Sequence, residues 1–430
     1  MRPQIRFAKE MENTDRQLSE SEKKRVMDAA YEAGTILLEN GAEISNVEET
    51  MTRMSSHFGM EDESFFVLSN GIMATEKNYA RSKYIPILGT CLEKVVEVNQ
   101  LSRDVVNGKC DIDETERRLK QIRNMKAKPA IEQILGSAAG SSAFCIIFGG
   151  GIFDSIAAFI SGTLLWTFMY FVGFRYMSRI MGNVIGGLFA AGLCIIMYDL
   201  GLGTHLSNMI IGAIIPLIPG VPFTNGIRDL ANEDYIAGVT RLLDALLAFF
   251  CISLGVAIAF MIDAGINGQM QPLHELTADP DTSGMVVQLA SAFIGTLAFS
   301  ILFGVPRRHY VYCGLAGMIG WLLYLLLMWN TEIYPTIIVF LSTALVTFVS
   351  ILMSILRKCP IAVFLICGIF PLVPGAGVFW TTYNIVANHI PAAMSSGFMA
   401  VKNTVAIAFG ILIINELHGL TVLKRILRRK

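Results

Sequence analysis

Two copies of one short pattern decide the fold, PLIPG at Pro216–Gly220 and PLVPG at Pro371–Gly375. Each copy follows a short apolar segment and precedes a polar stretch and a further apolar run. Proline removes a backbone donor and clashes with the preceding helical turn, so each copy predicts a break in a helix. Broken helices occur in membranes only where they face protein or a water-filled cavity. The pair therefore predicts a transport site, and a loop at the membrane surface is the alternative.

The chain around these breaks is apolar enough to lie in a bilayer. Of its 430 residues 53% are apolar and 16% are charged, and residues 1–130 hold 20 of the Lys/Arg and 22 of the Asp/Glu. A spanning helix needs about 20 mostly apolar residues. We predict ten spans, near 133–150, 155–173, 183–199, 206–219, 236–262, 286–304, 310–329, 334–356, 361–374 and 396–415.

The basic residues of the loops predict the orientation. With residues 1–130 in the cytoplasm, the five loops on the opposite side contain no Lys or Arg, which follows the positive-inside rule. Both termini are then cytoplasmic in a multi-pass protein of the plasma membrane. The cytoplasmic loops and the tail hold the basic residues Arg175, Arg179, Arg228, Arg307, Arg308, Arg357, Lys358, Lys424, Arg425, Arg428, Arg429 and Lys430. The predicted domains are 1–130 (cytoplasmic), 131–262 (first membrane half), 263–285 (extracytoplasmic linker) and 286–430 (second half with a basic cytoplasmic tail).

The first 130 residues predict a small α+β domain. Ser19 and Glu22 have the spacing of a capping box at the start of a helix that Gly41 ends, and Ser45 and Glu48 repeat that spacing. Asn70-Gly71 between two apolar runs predicts a hairpin whose turn residues have positive φ. A third helix follows from about Leu92 to Gly108, and Asp111 or Asp113 caps a fourth that runs to about Met125.

The two membrane halves predict an inverted repeat. Each half contains five spans, and an odd number means that the second half enters the bilayer from the opposite side. With a four-residue gap after the breaks, Asn225 aligns with Asn384 and Asp244 aligns with Asn403. The predicted fold class is thus a multi-span α-helical membrane protein, an inverted 5+5 repeat with a small α+β N-terminal domain.

Charged residues near the breaks are the candidate site. Arg241 and Asp244 are three residues apart and share a helical face. Either Arg241 or Lys402 would hold a substrate carboxylate, and Asp244 would hold an ammonium group or a coupling proton. The alternatives are an ion pair between Arg241 and Asp244, or an Arg241 side chain that extends to the cytoplasmic surface. Charges in lipid usually pair or line a cavity. Asp154, Asp199 and His205 are expected to be solvated at outer ends of spans. The candidate substrate-binding or gating residues are Pro216, Pro219, Gly220, Asn225, Arg241, Asp244, Pro371, Pro374, Gly375, Asn384, Lys402 and Asn403.

Several classes of function are excluded or disfavoured. No catalytic motif, metal-ligand spacing or phosphate-binding loop is present, so we predict no enzyme activity, metal or cofactor. A net charge of −1 and the absence of a basic face argue against nucleic-acid binding. The expected partners are a small-molecule substrate (an amino acid or a dicarboxylate), protons and the lipid bilayer. The sequence is compatible with a homo-oligomer.

The stretch GAEISNVE at Gly41–Glu48, followed by two sets of five spans with one P-L-x-P-G each, resembles the threonine/serine exporter family. The resemblance covers nearly the whole chain and implies proton-driven export of small hydrophilic metabolites from bacteria. It implies threonine or serine as the first substrate, and split relatives are associated with dicarboxylates.

We therefore predict a secondary exporter of small amino acids that works by alternating access around the two breaks. A dicarboxylate exporter on the same scaffold is the first alternative, and it would need both Arg241 and Lys402 in the cavity. A membrane-bound hydrolase that uses Glu48 or His57 is the second, and a channel is the third.

Overall fold

The computed structural model describes residues 19–60, 63–86, 89–268 and 284–427. Its N-terminal part combines helices with a three-stranded antiparallel sheet in the order β1-β2-β3. The predicted linker 263–285 lies mostly outside the described residues, as do Arg428, Arg429 and Lys430. The N-terminal elements are α1 (Glu20–Glu39), α2 (Ile44–His57), β1 (Ser64–Leu68), β2 (Gly71–Glu76), β3 (Tyr79–Tyr84), α3 (Leu92–Val106) and α4 (Ile112–Arg123).

The first predicted capping box is confirmed and the second is wrong. The Ser19 hydroxyl accepts from the Glu22 backbone N–H at 3.2 Å, and the Glu22 carboxylate accepts from the Ser19 N–H at 2.9 Å. Helix α2 instead begins after Glu43, whose side chain makes no capping hydrogen bond. The Glu48 carboxylate accepts from the Val67 N–H at 3.2 Å, so it ties α2 to the sheet rather than capping the helix.

The predicted hairpin is present, but its turn lies one residue earlier. Leu68 pairs with Gly71, so the turn residues are Ser69 and Asn70. Neither Asn70 nor Gly71 has a positive φ, so that part of the prediction is wrong. A second tight connection joins Glu76 to Tyr79 and completes the sheet, and α1 and α2 pack on one face of it. Asp111 caps α4 by accepting from the Glu114 N–H.

A membrane part of mostly long helices follows. Within the part of the chain that the structure describes, eight helices are long and apolar enough to cross a membrane, and two bent helix pairs raise that number to as many as ten. These helices account for each of the ten predicted spans. The elements are α5 (Ala130–Ile147), α6 (Ile152–Phe168), α7 (Phe174–Tyr176), α8 (Arg179–Asp199), α9 (Leu206–Ile214), α10 (Gly220–Ala231), α11 (Tyr235–Asn267), α12 (Met285–Leu302), α13 (Tyr310–Asn330), α14 (Pro335–Arg357), α15 (Ala362–Ile369), α16 (Gly375–Val386) and α17 (Ile390–Leu427).

Both predicted breaks are sharp bends between two short helices. The axis turns by 66° between 206–217 and 220–231, and by 43° between 362–372 and 375–385. In each case a single 3₁₀ turn contains the first proline, and the next helix begins at the glycine after the second proline. The polar stretch after the first break, which we predicted to lie between helices, is itself helical as α10.

The two halves match element by element. The starts of α12, α16 and α17 lie 155 residues after those of α5, α10 and α11. The Trp166 indole donates to the Gln133 carboxamide at 3.3 Å, and Trp321 donates to Gln288 at 3.1 Å, which is the same bond 155 residues later. The four-residue gap of our alignment is therefore wrong. Asn384 corresponds to Asp229, and the counterpart of Asn225 is Trp380.

The packing follows the same correspondence. Helix α5 packs on α6 and α9, as α12 packs on α13 and α15. Helix α8 packs on α11, as α14 packs on α17, and the halves meet where α5 packs on α12. That contact is reciprocal, because a Cβ at Gly140 would lie 2.9 Å from the ring of Phe299 and one at Gly295 would lie 2.9 Å from the ring of Phe144. Equivalent positions of the two halves thus contact each other across this interface.

Candidate functional site

The two proline breaks contact each other. A Cβ at Gly220 would lie 2.7 Å from Cδ2 of Phe370, the residue before Pro371. A Cβ at Gly375 would lie 2.6 Å from Cδ1 of Ile218, between the two prolines of the first break. Both distances are too short for a real Cβ, so a side chain at either position would displace its neighbour. The displacement would move the packed ring of Phe370 at Gly220, but only the end of the Ile218 side chain at Gly375. Pro216 and Pro371 are buried here, and so is Pro374, while Pro219 is half-buried.

The contact between the breaks is apolar. Phe370 stacks on Phe299 with 4.0 Å between ring centroids, and its ring meets the edge of Phe144 at 5.4 Å. Phe303 closes the cluster at 5.6 Å from Phe370. The breaks thus meet through packed aromatic rings, and the polar groups lie further along α10.

The N-terminal domain docks on α10 through its α1–α2 turn, residues 40–43. The Asn225 carboxamide donates to the Gly41 carbonyl at 2.6 Å. The Arg241 guanidinium, from α11, donates to the Ala42 carbonyl at 2.8 Å. These bonds satisfy two carbonyls of the turn itself, which lies after the last residue of α1. The turn of the N-terminal domain is therefore bound to the helix that follows the first break.

A buried ion pair lies directly under this turn. Arg241 Nη1 is 2.7 Å from Asp229 Oδ2, and the two side chains are 3% and 0% exposed. The second carboxylate oxygen of Asp229 accepts from the Ile44 N–H at 3.1 Å. The alternative in which Arg241 pairs with Asp244 is wrong, because its partner is Asp229, across the α10–α11 turn. Every oxygen of this carboxylate has a partner, so the pair holds α10, α11 and the N-terminal domain together.

A second buried arginine in the same cluster is only partly bound. Arg228 Nη2 lies 2.7 Å from Glu43 Oε2, with the side chains 6% and 13% exposed, but the geometry is that of an ion pair and not of a hydrogen bond. Among the described residues, Nε and Nη1 of Arg228 have no hydrogen-bond partner. The same holds for Oδ1 of Asn225 and the hydroxyl of Thr224. We call Thr224, Asn225, Arg228 and Glu43 the α10 cluster.

The structure brings some predicted site residues into this region and leaves others outside. Asn225 and Arg241 belong to it, whereas Asp244 lies exposed on α11 and Lys402 lies exposed on α17. The Lys402 ammonium is 4.6 Å from the ring centroid of Phe398 on its own helix. Asn384 and Asn403 are half-buried, and Asn403 accepts from Thr336 at 3.4 Å. Neither Asp244 nor Lys402 joins the buried face of α10.

Four residues of the region were missed by the sequence analysis, namely Glu43, Thr224, Arg228 and Asp229. Glu43 appeared only within the stretch that carries the family resemblance, and Arg228 only as a basic loop residue. The sequence analysis did name the stretch that contains Gly41-Ala42-Glu43 and the polar stretch after the first P-L-x-P-G. The contact between these two stretches is a tertiary contact, which local sequence patterns do not reveal.

The N-terminal domain also contacts the loops that the charge pattern placed on its side. The Leu92 N–H donates to the Phe303 carbonyl at 3.0 Å, and Arg308 lies 3.4 Å from Glu97. The Arg103 guanidinium donates to the Lys358 carbonyl at 2.9 Å. Three of the four predicted cytoplasmic loops thus touch this domain.

At the predicted opposite end, Asp154 is buried and not solvated as expected. Its carboxylate accepts from the backbone N–H groups of Gly151 at 2.8 Å and His205 at 3.0 Å, and the Thr204 N–H bonds it at 2.5 Å. The His205 ring lies 2.9 Å away and is half-exposed. These bonds fix the α5–α6 connection against the one before α9.

The hydrolase alternative gains no support from Glu48 and His57. Glu48 bonds the sheet, and burial lowers the pKa of His57, whose ring meets the edge of Phe58 at 5.5 Å. Among the described residues, no group of three His, Cys, Asp or Glu side chains could hold a metal ion.

Comparison with known proteins decides the family. The family described as "Putative threonine/serine exporter" matches residues 28–263, which is more than half of the chain, and "Threonine/Serine exporter, ThrE" matches residues 288–417. The chain belongs to the threonine/serine exporter family. This is a family of transporters, and the first match runs from the N-terminal domain through the α10 cluster.

Individual relatives have low sequence identity to this chain, but the aligned regions cover most of its length. A "Threonine/serine exporter" of Corynebacterium glutamicum is 22% identical over 90% of this chain and 81% of its own length. A "Probable threonine/serine exporter" of Mycobacterium tuberculosis is 20% identical over 86% of this chain and 71% of its own length. A "Probable succinate transporter subunit YjjP" of Klebsiella aerogenes is 24% identical over 59% of this chain and 99% of its own length. No solved structure matches.

Proposed function

We propose that this exporter moves small zwitterionic amino acids, threonine or serine first, out of the cytoplasm by alternating access around the two proline breaks. The observation that carries the proposal is that the breaks contact each other while the helix after the first one bears a buried cluster of charges. Buried charges in a membrane protein usually serve a substrate or ion pathway. The family names of the long relatives agree with this substrate class.

An inverted repeat supports alternating access. The equal offset of the helices and the reciprocal Gly140–Phe299 and Gly295–Phe144 contacts favour a two-fold relation between the halves. With five spans in each half, that axis would lie in the membrane plane, and one half could open inward while its mirror closes.

We propose that the N-terminal domain and the basic C-terminal tail are cytoplasmic, and that the membrane is the bacterial plasma membrane. The basic loops that contact the domain support this orientation, because short cytoplasmic loops carry an excess of Lys and Arg. The proposed boundaries remain 1–130, 131–262, 263–285 and 286–430. Substrate entering from the cytoplasm would then meet the α1–α2 turn first.

Of the predicted site residues, the proposed pathway keeps Asn225, Arg241 and the six residues of the breaks, and it adds Arg228. The six are Pro216, Pro219, Gly220, Pro371, Pro374 and Gly375. Asp244 and Lys402 are left out, since both lie on exposed helix faces. We propose proton exchange as the driving force, with the buried carboxylates Glu43 and Asp229 as the groups that lie in the pathway.

Dicarboxylate export is the second candidate, favoured by the likeness to the succinate transporter subunit. It would need two available cations. Arg241 is bound to Asp229, and Lys402 is exposed on another helix, so the structure offers one partly bound arginine rather than two. A single cation beside a carboxamide oxygen fits a zwitterion better than a dianion.

Efflux from proteoliposomes tests the proposal. Vesicles with the full-length protein are loaded with radiolabelled threonine or succinate, and the outside is acidified with and without a protonophore. We expect acidification to accelerate threonine efflux, the protonophore to remove that acceleration, and succinate to stay inside. Threonine efflux no faster than from protein-free vesicles, or a conductance indifferent to the proton gradient, would contradict the proposal.

A further inference from the structure

Two buried arginines, Arg228 in the α10 cluster and Arg241 on α11, differ in how fully they are bound. Arg241 makes a hydrogen-bonded pair with Asp229 and also bonds the Ala42 carbonyl. Arg228 has one ion-pair contact to Glu43 and leaves Nε and Nη1 without a partner in the described part of the chain. A buried donor without a partner costs free energy, so native structures rarely retain one without a purpose. Arg228 therefore has binding capacity that the protein itself does not use.

The other unsatisfied groups lie on the same face of α10. Thr224 and Asn225 precede Arg228 by four and three residues, and side chains at those spacings are neighbours on a helix. Thr224 and Asn225 are each 1% exposed, and Arg228 is 5% exposed. One helix face thus presents a hydroxyl, a carboxamide oxygen and two guanidinium nitrogens, all buried and all lacking a hydrogen-bond partner among residues 19–60, 63–86, 89–268 and 284–427.

We propose that this face of α10 is the recognition site for the cargo, and that Glu43 occupies it when cargo is absent. The cargo carboxylate binds the Nε and Nη groups of Arg228 in the two-bond geometry that guanidinium favours. The cargo ammonium binds Oδ1 of Asn225, and the hydroxyl of threonine or serine bonds Thr224. This inference rests on the proposed function and names the contacts of its substrate.

Glu43 then acts as an internal competitor. Its carboxylate is the same chemical group as the cargo carboxylate, and it holds Arg228 through a single contact without hydrogen-bond geometry. A carboxylate that makes two aligned bonds displaces it. Since Glu43 lies at the start of α2, its displacement loosens the α1–α2 turn from α10. Cargo binding is thereby coupled to the position of the N-terminal domain.

Threonine counterflow with the full-length protein in proteoliposomes tests the assignment. Arg228→Lys keeps the charge but loses the planar fork, and we expect KM for threonine to rise by at least about tenfold. Glu43→Gln weakens the competitor, so we expect KM to fall by about threefold because more of the protein is ready to bind. Thr224→Val should reduce the preference for threonine over alanine. Arg307→Gln, which removes a surface pair with Glu132, is the matched control and should not change KM.

Ligand probes on the unmodified protein cover the case in which a variant fails to fold. Threonine methyl ester lacks the carboxylate and N-acetylthreonine lacks the ammonium, and we expect each to compete at least about tenfold more weakly than threonine. Equal competition by both analogues would overturn the assignment. Unchanged KM in folded Arg228→Lys and Glu43→Gln would also overturn it while leaving the exporter function intact, and absent counterflow in the unmodified protein would instead refute the proposed function.

Discussion

At the scale of residues, the buried Arg241–Asp229 pair fixes the geometry of the docking region. Removing one member leaves the other as an uncompensated buried charge, whereas replacing both by apolar side chains is often nearly neutral. Asp244 lies one turn along α11 from Arg241 but on its exposed flank. Loss of the buried Asp229 carboxylate is therefore expected to destabilise the protein more than loss of the exposed Asp244 carboxylate.

We expect Arg241→Met to lower the free energy of unfolding by about 3–5 kcal/mol, and the double variant with Asp229→Leu to recover part of that loss. Asp244→Asn is the control and should change stability by no more than about 0.5 kcal/mol. Thermal unfolding in detergent measures all three. Equal losses in Arg241→Met and Asp244→Asn would contradict the observed pairing.

The sequence left an ion pair of Arg241 open as one alternative, but it could not supply the partner. Spacing within a helix identifies neighbours three or four residues apart, and it suggested Asp244. The real partner, Asp229, approaches because α10 turns back along α11, and Glu43 and Ile44 arrive from a different domain. Such contacts depend on tertiary packing, which no local pattern encodes.

At the scale of elements, α10 shows why the breaks were easier to predict than the helices that follow. Two prolines in five residues determine where α9 must end. The next residues, FTNGIRDL, look like a loop because they are polar. They are helical and buried because the α1–α2 turn covers them and binds their side chains. The repeat predicted matching breaks, yet only the first half carries charges there, since the position equivalent to Arg228 is Tyr383.

We expect Gly220→Ala to reduce threonine counterflow by at least about tenfold and to destabilise the protein by about 1–3 kcal/mol, because overpacking displaces neighbouring groups. The new Cβ would lie 2.7 Å from a carbon of Phe370, whose ring is stacked on Phe299 and cannot withdraw. Gly192→Ala in α8 is the matched control.

At Gly192 a Cβ would meet nothing within 4 Å of its position among the described residues. That variant should keep full transport and gain up to about 1 kcal/mol from the higher helix propensity of alanine. Counterflow rates and unfolding temperatures of the two variants decide the matter. Full transport in Gly220→Ala would show that close approach of the breaks is dispensable.

At the scale of the whole molecule, the count of spans and the division into equal halves were readable from hydropathy and from the paired motifs. The way in which the halves meet was not. We expected a shared polar cradle between the breaks, whereas the structure places packed phenylalanines there and the polar cluster beside α10, under the N-terminal domain. Alternating access around the breaks therefore requires them to separate, or to slide past one another, whenever cargo crosses the membrane.

A disulfide between the two breaks tests that requirement most directly. In a background with the eight native cysteines replaced by alanine, Ile218→Cys and Gly375→Cys would place a γ atom and a β carbon about 4 Å apart, within reach of a disulfide. Replacing Ile218 also removes the δ carbon that would crowd a side chain at 375. We predict that mild oxidation forms the bond and abolishes threonine counterflow, and that reduction restores it. Failure of the bond to form, or full counterflow with the bond in place, would contradict the account.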